Sequence, residues 1–177
     1  INAASSGDTV LVLPGTYAGP GNERVDFLGR SMTLVSSQGP DDTTIDGGSS
    51  WESHGGVFVL NYRDTGHSHI EGFTVEGARV WRANGGALYC SGGSVALRNC
   101  VFNDCAAADD VGCLGSGGAV YLSNSPVGYS TIEDCLFTNC RSGPDGGAVL
   151  ARDSGIAITD CTFADCQSEY YGSAVCI

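Results

Sequence analysis

Leu97-Arg98-Asn99-Cys100-Val101-Phe102-Asn103-Asp104-Cys105 decides the fold, because the chain repeats its pattern twice more. The copies are Ile132-Glu133-Asp134-Cys135-Leu136-Phe137-Thr138-Asn139-Cys140 and Ile158-Thr159-Asp160-Cys161-Thr162-Phe163-Ala164-Asp165-Cys166. Ile70 to Ala78 is the same unit without cysteine. Each unit carries two positions at which the left-handed backbone is tolerated: Gly72, Asn99, Asp134 or Asp160, and then Gly77, Asp104, Asn139 or Asp165. Glycine accepts that conformation for lack of a Cβ, and Asn and Asp accept it through local side-chain hydrogen bonds. A sharp corner is expected at each. Alternation along the short strand between corners points Cys100 with Phe102, Cys135 with Phe137 and Cys161 with Phe163 to the inside, with Phe73 and Val75 in the same columns. Cys105, Cys140 and Cys166 form a further column.

Outward from this stretch lies a second register: Gly55-Gly56-Val57-Phe58, Gly85-Gly86-Ala87-Leu88, Gly117-Gly118-Ala119-Val120, Gly146-Gly147-Ala148-Val149 and Gly172-Ser173-Ala174-Val175. Successive copies stand 30, 32, 29 and 26 residues apart. Short strands, glycine corners and columns of like residues at that period describe a solenoid, in which each coil buries its inner face only by stacking on the next. The expected class is all-β, with about five to six coils of parallel strands, each rung adding about 4.8 Å. The whole of 1–177 reads as one domain, with opening coils in 1–54 and regular coils in 55–177. In the opening part, Asp8 to Leu13, Val25 to Phe27, Met32 to Ser36 and Thr43 to Asp46 are strand-like runs separated by Pro14-Gly15, Gly29 and Gly39-Pro40. Ile1 to Ala4 is expected to be the tail of a helix plugging the first coil. The chain opens in mid-motif and closes in mid-strand at Ile177, so a fragment truncated at the C-terminal end is expected.

Asn2-Ala3-Ala4-Ser5-Ser6-Gly7-Asp8-Thr9-Val10, followed by Pro14-Gly15-Thr16-Tyr17, resembles the opening of pectate-lyase-like right-handed parallel β-helix proteins. The later Gly-Gly-Ala-aliphatic and Phe-containing units are similar to the repeats of chlamydial polymorphic outer-membrane adhesins. The resemblance implies a right-handed parallel β-helix. It leaves function open, because that superfamily holds lyases, hydrolases, epimerases and non-catalytic surface proteins. One departure is chemical: Cys105, Cys140 and Cys166 stand where the adhesin repeat has Asn, so thiols replace any asparagine ladder.

Twenty carboxylates oppose eight arginines, with no lysine, for a net charge of −12. A nucleic-acid backbone is repelled, and counterion release offers no affinity. No run of apolar residues is long enough to span a membrane. Nine cysteines in a small acidic chain suggest an oxidising place, hence an extracellular, cell-surface or lumenal location.

Candidate sites fall into three groups. Loops between the second corner and the Gly-Gly strand bring Arg79, Trp81 and Arg82, Asp109 and Asp110, Arg141 and Asp145, and Glu169, Tyr170 and Tyr171 to one edge. Aromatics there could stack on sugars, and carboxylates could accept hydroxyls. For an enzyme, Asp109, Asp110, Arg141 and Asp145 are the catalytic candidates, although no hydrolase signature is present and the absence of lysine excludes a lysine-base lyase. On the Gly-Gly strands Tyr89, Tyr121 and Leu150 make an outward apolar line expected to meet a partner. His54, His67 and His69 cluster, with the latter two on one strand face. Neither column places cysteines at zinc spacing, so Cys100, Cys105, Cys135, Cys140, Cys161 and Cys166 are read as core with Phe102, Phe137 and Phe163. No metal site or cofactor is expected, Ca²⁺ being the one cation the loop carboxylates could hold.

The expected function is a non-catalytic scaffold or adhesion and binding module of a larger protein. Its partners would be other subunits, flanking domains of the same chain, or glycans. A lyase or hydrolase acting on acidic polysaccharide along the loop edge is the alternative.

Overall fold

The computed structural model describes residues 1–50, 56–61, 66–107, 115–125 and 130–177. Both corner columns form as their residue types require. Gly72, Asn99, Asp134 and Asp160 have φ of 79°, 46°, 52° and 52°, and Gly77, Asp104, Asn139 and Asp165 have 63°, 51°, 54° and 53°. Each corner N–H donates to the strand of the next rung: Gly72 to the Arg98 carbonyl at 3.1 Å, Asn99 to Glu133 at 3.1 Å and Asp134 to Thr159 at 3.2 Å. The corners therefore stack as ladders, and a residue unsuited to positive φ would disturb the rungs on either side.

The strands between and beside these corners are two to five residues long and assemble into four parallel sheets. The first holds Thr9–Val12, Thr33–Ser36, His67–Glu71, Ser94–Arg98, Ser130–Glu133 and Ile156–Thr159. The second holds Gly15–Tyr17, Thr43–Asp46, Thr74–Glu76, Val101–Asn103, Leu136–Thr138 and Thr162–Ala164. The third holds Val25–Asp26, Phe58–Leu60, Leu88–Ser91, Val120–Ser123, Val149–Arg152 and Val175–Cys176. A short fourth holds Ser49–Ser50, Arg79–Val80, Ala106–Ala107 and Arg141–Ser142. The chain is an all-β parallel solenoid of about five turns, with no helix among the described residues.

Inside, columns of like residues follow from the register. Phe102 pairs with Phe137 and Phe137 with Phe163, and their rings stack at 4.9 and 4.8 Å with interplanar angles of 13° and 5°. Phe58, Leu88, Val120, Val149 and Val175 align in the third sheet. Leu34, Ile70, Leu97, Ile132 and Ile158 align in the first. All belong to one hydrophobic core or pack against it.

The Gly-Gly pairs have a double cause. Gly85, Gly117, Gly146 and Gly172 take φ of 61° to 68°. A Cβ on the second glycine would lie 2.4 Å from the Gly86 carbonyl at Gly56, 2.4 Å from Gly118 at Gly86, 2.0 Å from Gly147 at Gly118 and 2.0 Å from Ser173 at Gly147. The backbone of one rung thus occupies the space a side chain on its neighbour would need. Ser173 is the one departure, and it belongs to the rung whose strand, Val175–Cys176, lies at the sheet's edge.

Several expectations are corrected. Ile1 to Ala4 is a turn and not a helix tail: the Ala4 N–H donates to the Ile1 carbonyl at 3.0 Å. The Arg30 guanidinium donates to the Asn2 carbonyl at 3.2 Å and to that of Ala4. The segment still lies against the core through Ile1 and Ala4. Gly15, read from sequence as part of a break, opens the strand Gly15–Tyr17. The fourth sheet escaped notice because two-residue strands carry no periodicity. The outward line of the third sheet is largely buried: Tyr121 is 7 % and Leu150 3 % exposed, Val59 is buried and Tyr89 half-buried, while Val57, Ala87, Ala119 and Ala148 belong to the hydrophobic core. A strand apolar on both faces is covered on both.

Candidate functional site

Beside the second corner column runs a groove of about 430 Å³, lined by Glu76, Asn103, Asp104, Asn139, Arg141, Asp165 and Gln167. Three features of the coil position these side chains. Glu76 and Asn103 occupy one register position at the end of the second sheet's strands. Asp104, Asn139 and Asp165 are the corners that follow, where positive φ turns the chain away from that sheet. Arg141 opens the fourth-sheet strand Arg141–Ser142 and bridges to Gln167. Four successive rungs contribute, a length of about 14 Å along the axis at one strand spacing each.

Polar contacts run along the groove. The Thr138 hydroxyl donates to Asn103 Oδ1 at 2.9 Å, Asn139 Nδ2 donates to the same oxygen at 3.4 Å, and Asn103 Nδ2 donates to Glu76 Oε1 at 3.4 Å. The Arg79 guanidinium meets the Asp104 carboxylate at 2.5 Å. Carboxylates, carboxamides and a guanidinium thus face one space, and all of them are exposed or half-exposed.

Of the loop-edge candidates, Arg79 and Arg141 reach this groove, one through Asp104 and the other directly. Asp145 does not line it: its carboxylate lies 3.8 Å from Arg152, and its carbonyl accepts from the Ser142 hydroxyl at 3.0 Å. Trp81 and Arg82 pair with each other, the guanidinium carbon 5.4 Å from the ring centroid, and Arg82 holds a φ of 57°. Tyr170 and Tyr171 are both 71 % exposed, and their N–H groups donate to the Pro144 carbonyl at 3.1 and 3.2 Å. Asp109, Asp110, Cys113 and His54 lie outside the described residues.

The third-sheet trio sits elsewhere. Tyr89 is half-buried and stacks on Tyr121 at 5.5 Å and 8°, with Leu150 next in register. His67 and His69 share the outer face of the first sheet but engage different partners, Ser94 at 3.1 Å and Glu71 at 2.9 Å. Burial, then the neighbouring His69 and Arg98, hold His67 below the usual imidazole pKa. No group of three His, Cys, Asp or Glu among the described residues could hold a metal ion.

The thiol columns are packing elements. Cys105 donates to the Val75 carbonyl at 3.7 Å, Cys140 to Phe102 at 3.7 Å and Cys166 to Phe137 at 3.7 Å, each reaching the rung before it. Cys100 reaches Ile70 at 3.9 Å and Cys161 reaches Ile132 at 3.5 Å in the same way. The hydrogen bond with Cys100, then burial, pushes the Cys135 thiol far up, and the bond with Cys140, then burial, does the same for Cys166. Thiols held protonated make weak nucleophiles and weak ligands.

Sequence reasoning treated Asp104, Asn139 and Asp165 only as corners and passed over Glu76, Asn103 and Gln167. The signal that could have found them was the register itself, since outward positions equidistant from a corner must share one surface column.

A family model described as "Right handed beta helix region" matches residues 37–176. No curated protein and no solved structure matches the chain. No helix among the described residues is long and apolar enough to cross a membrane.

Proposed function

The chain belongs to the right-handed β-helix family, and we propose that it is a non-catalytic binding module that holds a glycan along its axial groove. Because folds of this kind host many activities, the reading rests on the site and not on the family. The observation that carries it is the groove of about 430 Å³ crossing four rungs, lined by side chains that both donate and accept hydrogen bonds. Sugars present hydroxyls that do both.

Catalysis would ask for more than this. A glycosidase needs a carboxyl group poised to give up a proton and a second to assist, in a site that excludes water. Here Asp104 is tied to Arg79 and Glu76 accepts from Asn103, and solvent reaches the lining. The Gly-Gly-Ala and Phe repeats that resemble those of surface adhesins support a binding role in a larger surface, secreted or lumenal protein.

An array of oligosaccharides probed with the whole chain tests the reading, with chromatography of the bound sugars after prolonged incubation. We expect retention of at least one glycan class and recovery of the sugars intact. Release of shortened or unsaturated products would replace the binding module with an enzyme, and a lack of retention of any glycan would remove the proposal.

A further inference from the structure

We infer that the ligand of this groove is a neutral, hydroxyl-rich chain, and that Arg141 with Asp165 is the pair that selects it. The inference rests on the glycan-binding reading above and adds the substrate class and the residues that set it.

The argument comes from the repeat. Arg79, Ala106, Arg141 and Gln167 occupy one register position on successive rungs. The corner positions beside them are Gly77, Asp104, Asn139 and Asp165. Arg79 reaches one rung forward to Asp104 and closes an ion pair at 2.5 Å. Two rungs on, Arg141 stands to Asp165 as Arg79 stands to Asp104, one rung apart and in the same two columns. Yet among the described residues neither Arg141 nor Asp165 forms an ion pair, and both line the groove. The same arrangement is closed at one end of the groove and open at the other.

A guanidinium and a carboxylate that line one groove without an ion pair call for a group that accepts from one and donates to the other. A hydroxyl does both, and a vicinal pair of hydroxyls can do so with each in turn. An anionic group would satisfy Arg141 but would face Asp165, Glu76 and the other carboxylates of a chain whose net charge is −12. A cationic group would reverse the conflict and meet Arg141. Asn139 and Gln167 beside the pair add amide donors and acceptors suited to a neutral sugar. Since each rung repeats the last at about 4.8 Å, a polymer laid along the axis meets similar chemistry unit after unit.

Calorimetric titration of the whole chain compares three probes: neutral oligosaccharides such as cello-, manno- and xylo-oligomers, oligogalacturonates, and chitosan oligomers. The variants are Arg141→Ala and Asp165→Asn, with Arg152→Ala as a control outside the groove, each checked by circular dichroism for an unchanged fold. We expect a neutral series to bind, each groove variant to weaken it at least tenfold, and the control to match the parent. Preferential binding of the charged oligomers would overturn the inference. So would neutral binding that both groove variants leave intact, which would move the ligand to another face while the binding reading stands. If no oligosaccharide of any charge binds the parent, the binding reading itself falls.

Discussion

At the residue scale the fold depends on a few positions where backbone geometry leaves little choice. Asn99 is exposed at a φ of 46°, so a residue must accept the left-handed region there but need not pack. Asn99→Gly is expected to be nearly neutral, whereas Asn99→Val should cost about 1–2 kcal/mol, both read by urea denaturation. Gly118 is constrained by space: a Cβ would lie 2.0 Å from the Gly147 carbonyl and 2.6 Å from that of Arg141. Those atoms are backbone and cannot step aside, so Gly118→Ala should destabilise by about 4 kcal/mol or more, the range reserved for such mechanisms. Parent-like stability of that variant would show that the rungs are not packed at this spacing. The thiols make a different prediction. Cys161, raised by burial, and Cys166, raised by its bond with Cys140 and then by burial, are half-buried and yet held protonated. In the native protein both should be alkylated more slowly than free cysteine up to its ordinary pKa of about 8.5, and at the free rate in denaturant. Equal rates before and after unfolding would refute the packing role.

At the element scale no strand among the described residues is longer than five residues, and none would persist alone. Each exists because neighbouring rungs, on both sides for the middle strands and on one side for the edge strands, supply its hydrogen bonds and cover its inner face. The aromatic column shows how much one position contributes. Phe137 is fully buried between Phe102 and Phe163, so Phe137→Ala removes two ring contacts and leaves a cavity between rungs that cannot collapse independently. A loss of about 3–5 kcal/mol is expected. Phe163→Ala should cost less, because Phe163 is only partly buried and has a ring on one side. Denaturant titration of the two variants checks the order, and a reversal would mean the column is not the continuous stack described.

At the scale of the whole molecule the solenoid is a one-dimensional stack, and its stability is a sum over rungs and the interfaces between them. Inward residues of the middle rungs are fully buried, while Ile156, Ile158, Phe163 and Val175 of the last rung are only half-buried, as are Val10, Val12 and Val25 of the first. Hydrogen exchange should therefore be slowest for amides such as those of Leu97, Phe102 and Leu122, and fastest in the strands at either end. Uniform protection would point to cooperative unfolding of the whole stack. Burial of the third sheet's outward line belongs to this scale too. Tyr121→Glu would place a charge in a buried site and should lower stability by several kcal/mol, in place of weakening an association.

The sequence by itself determined the repeat, both corner columns, the inward cysteines and phenylalanines and the parallel class. Each of these depends on a local property: the φ a residue tolerates, the alternation of a short strand, or the spacing of like residues. Asn99, Asp134 and Asp160 are legible because the same chemistry recurs in the same place. The groove was not legible, since Glu76, Asp104, Arg141 and Gln167 lie far apart in the chain and meet only once the rungs are in register. The exposure of Tyr121 could not be read either, because whether an apolar face stays open depends on what the rest of the chain lays over it. Tertiary structure alone decided that Arg79 closes on Asp104 while Arg141 and Asp165 stay apart, because an ion pair depends on side-chain positions across rungs and not on the residues within one.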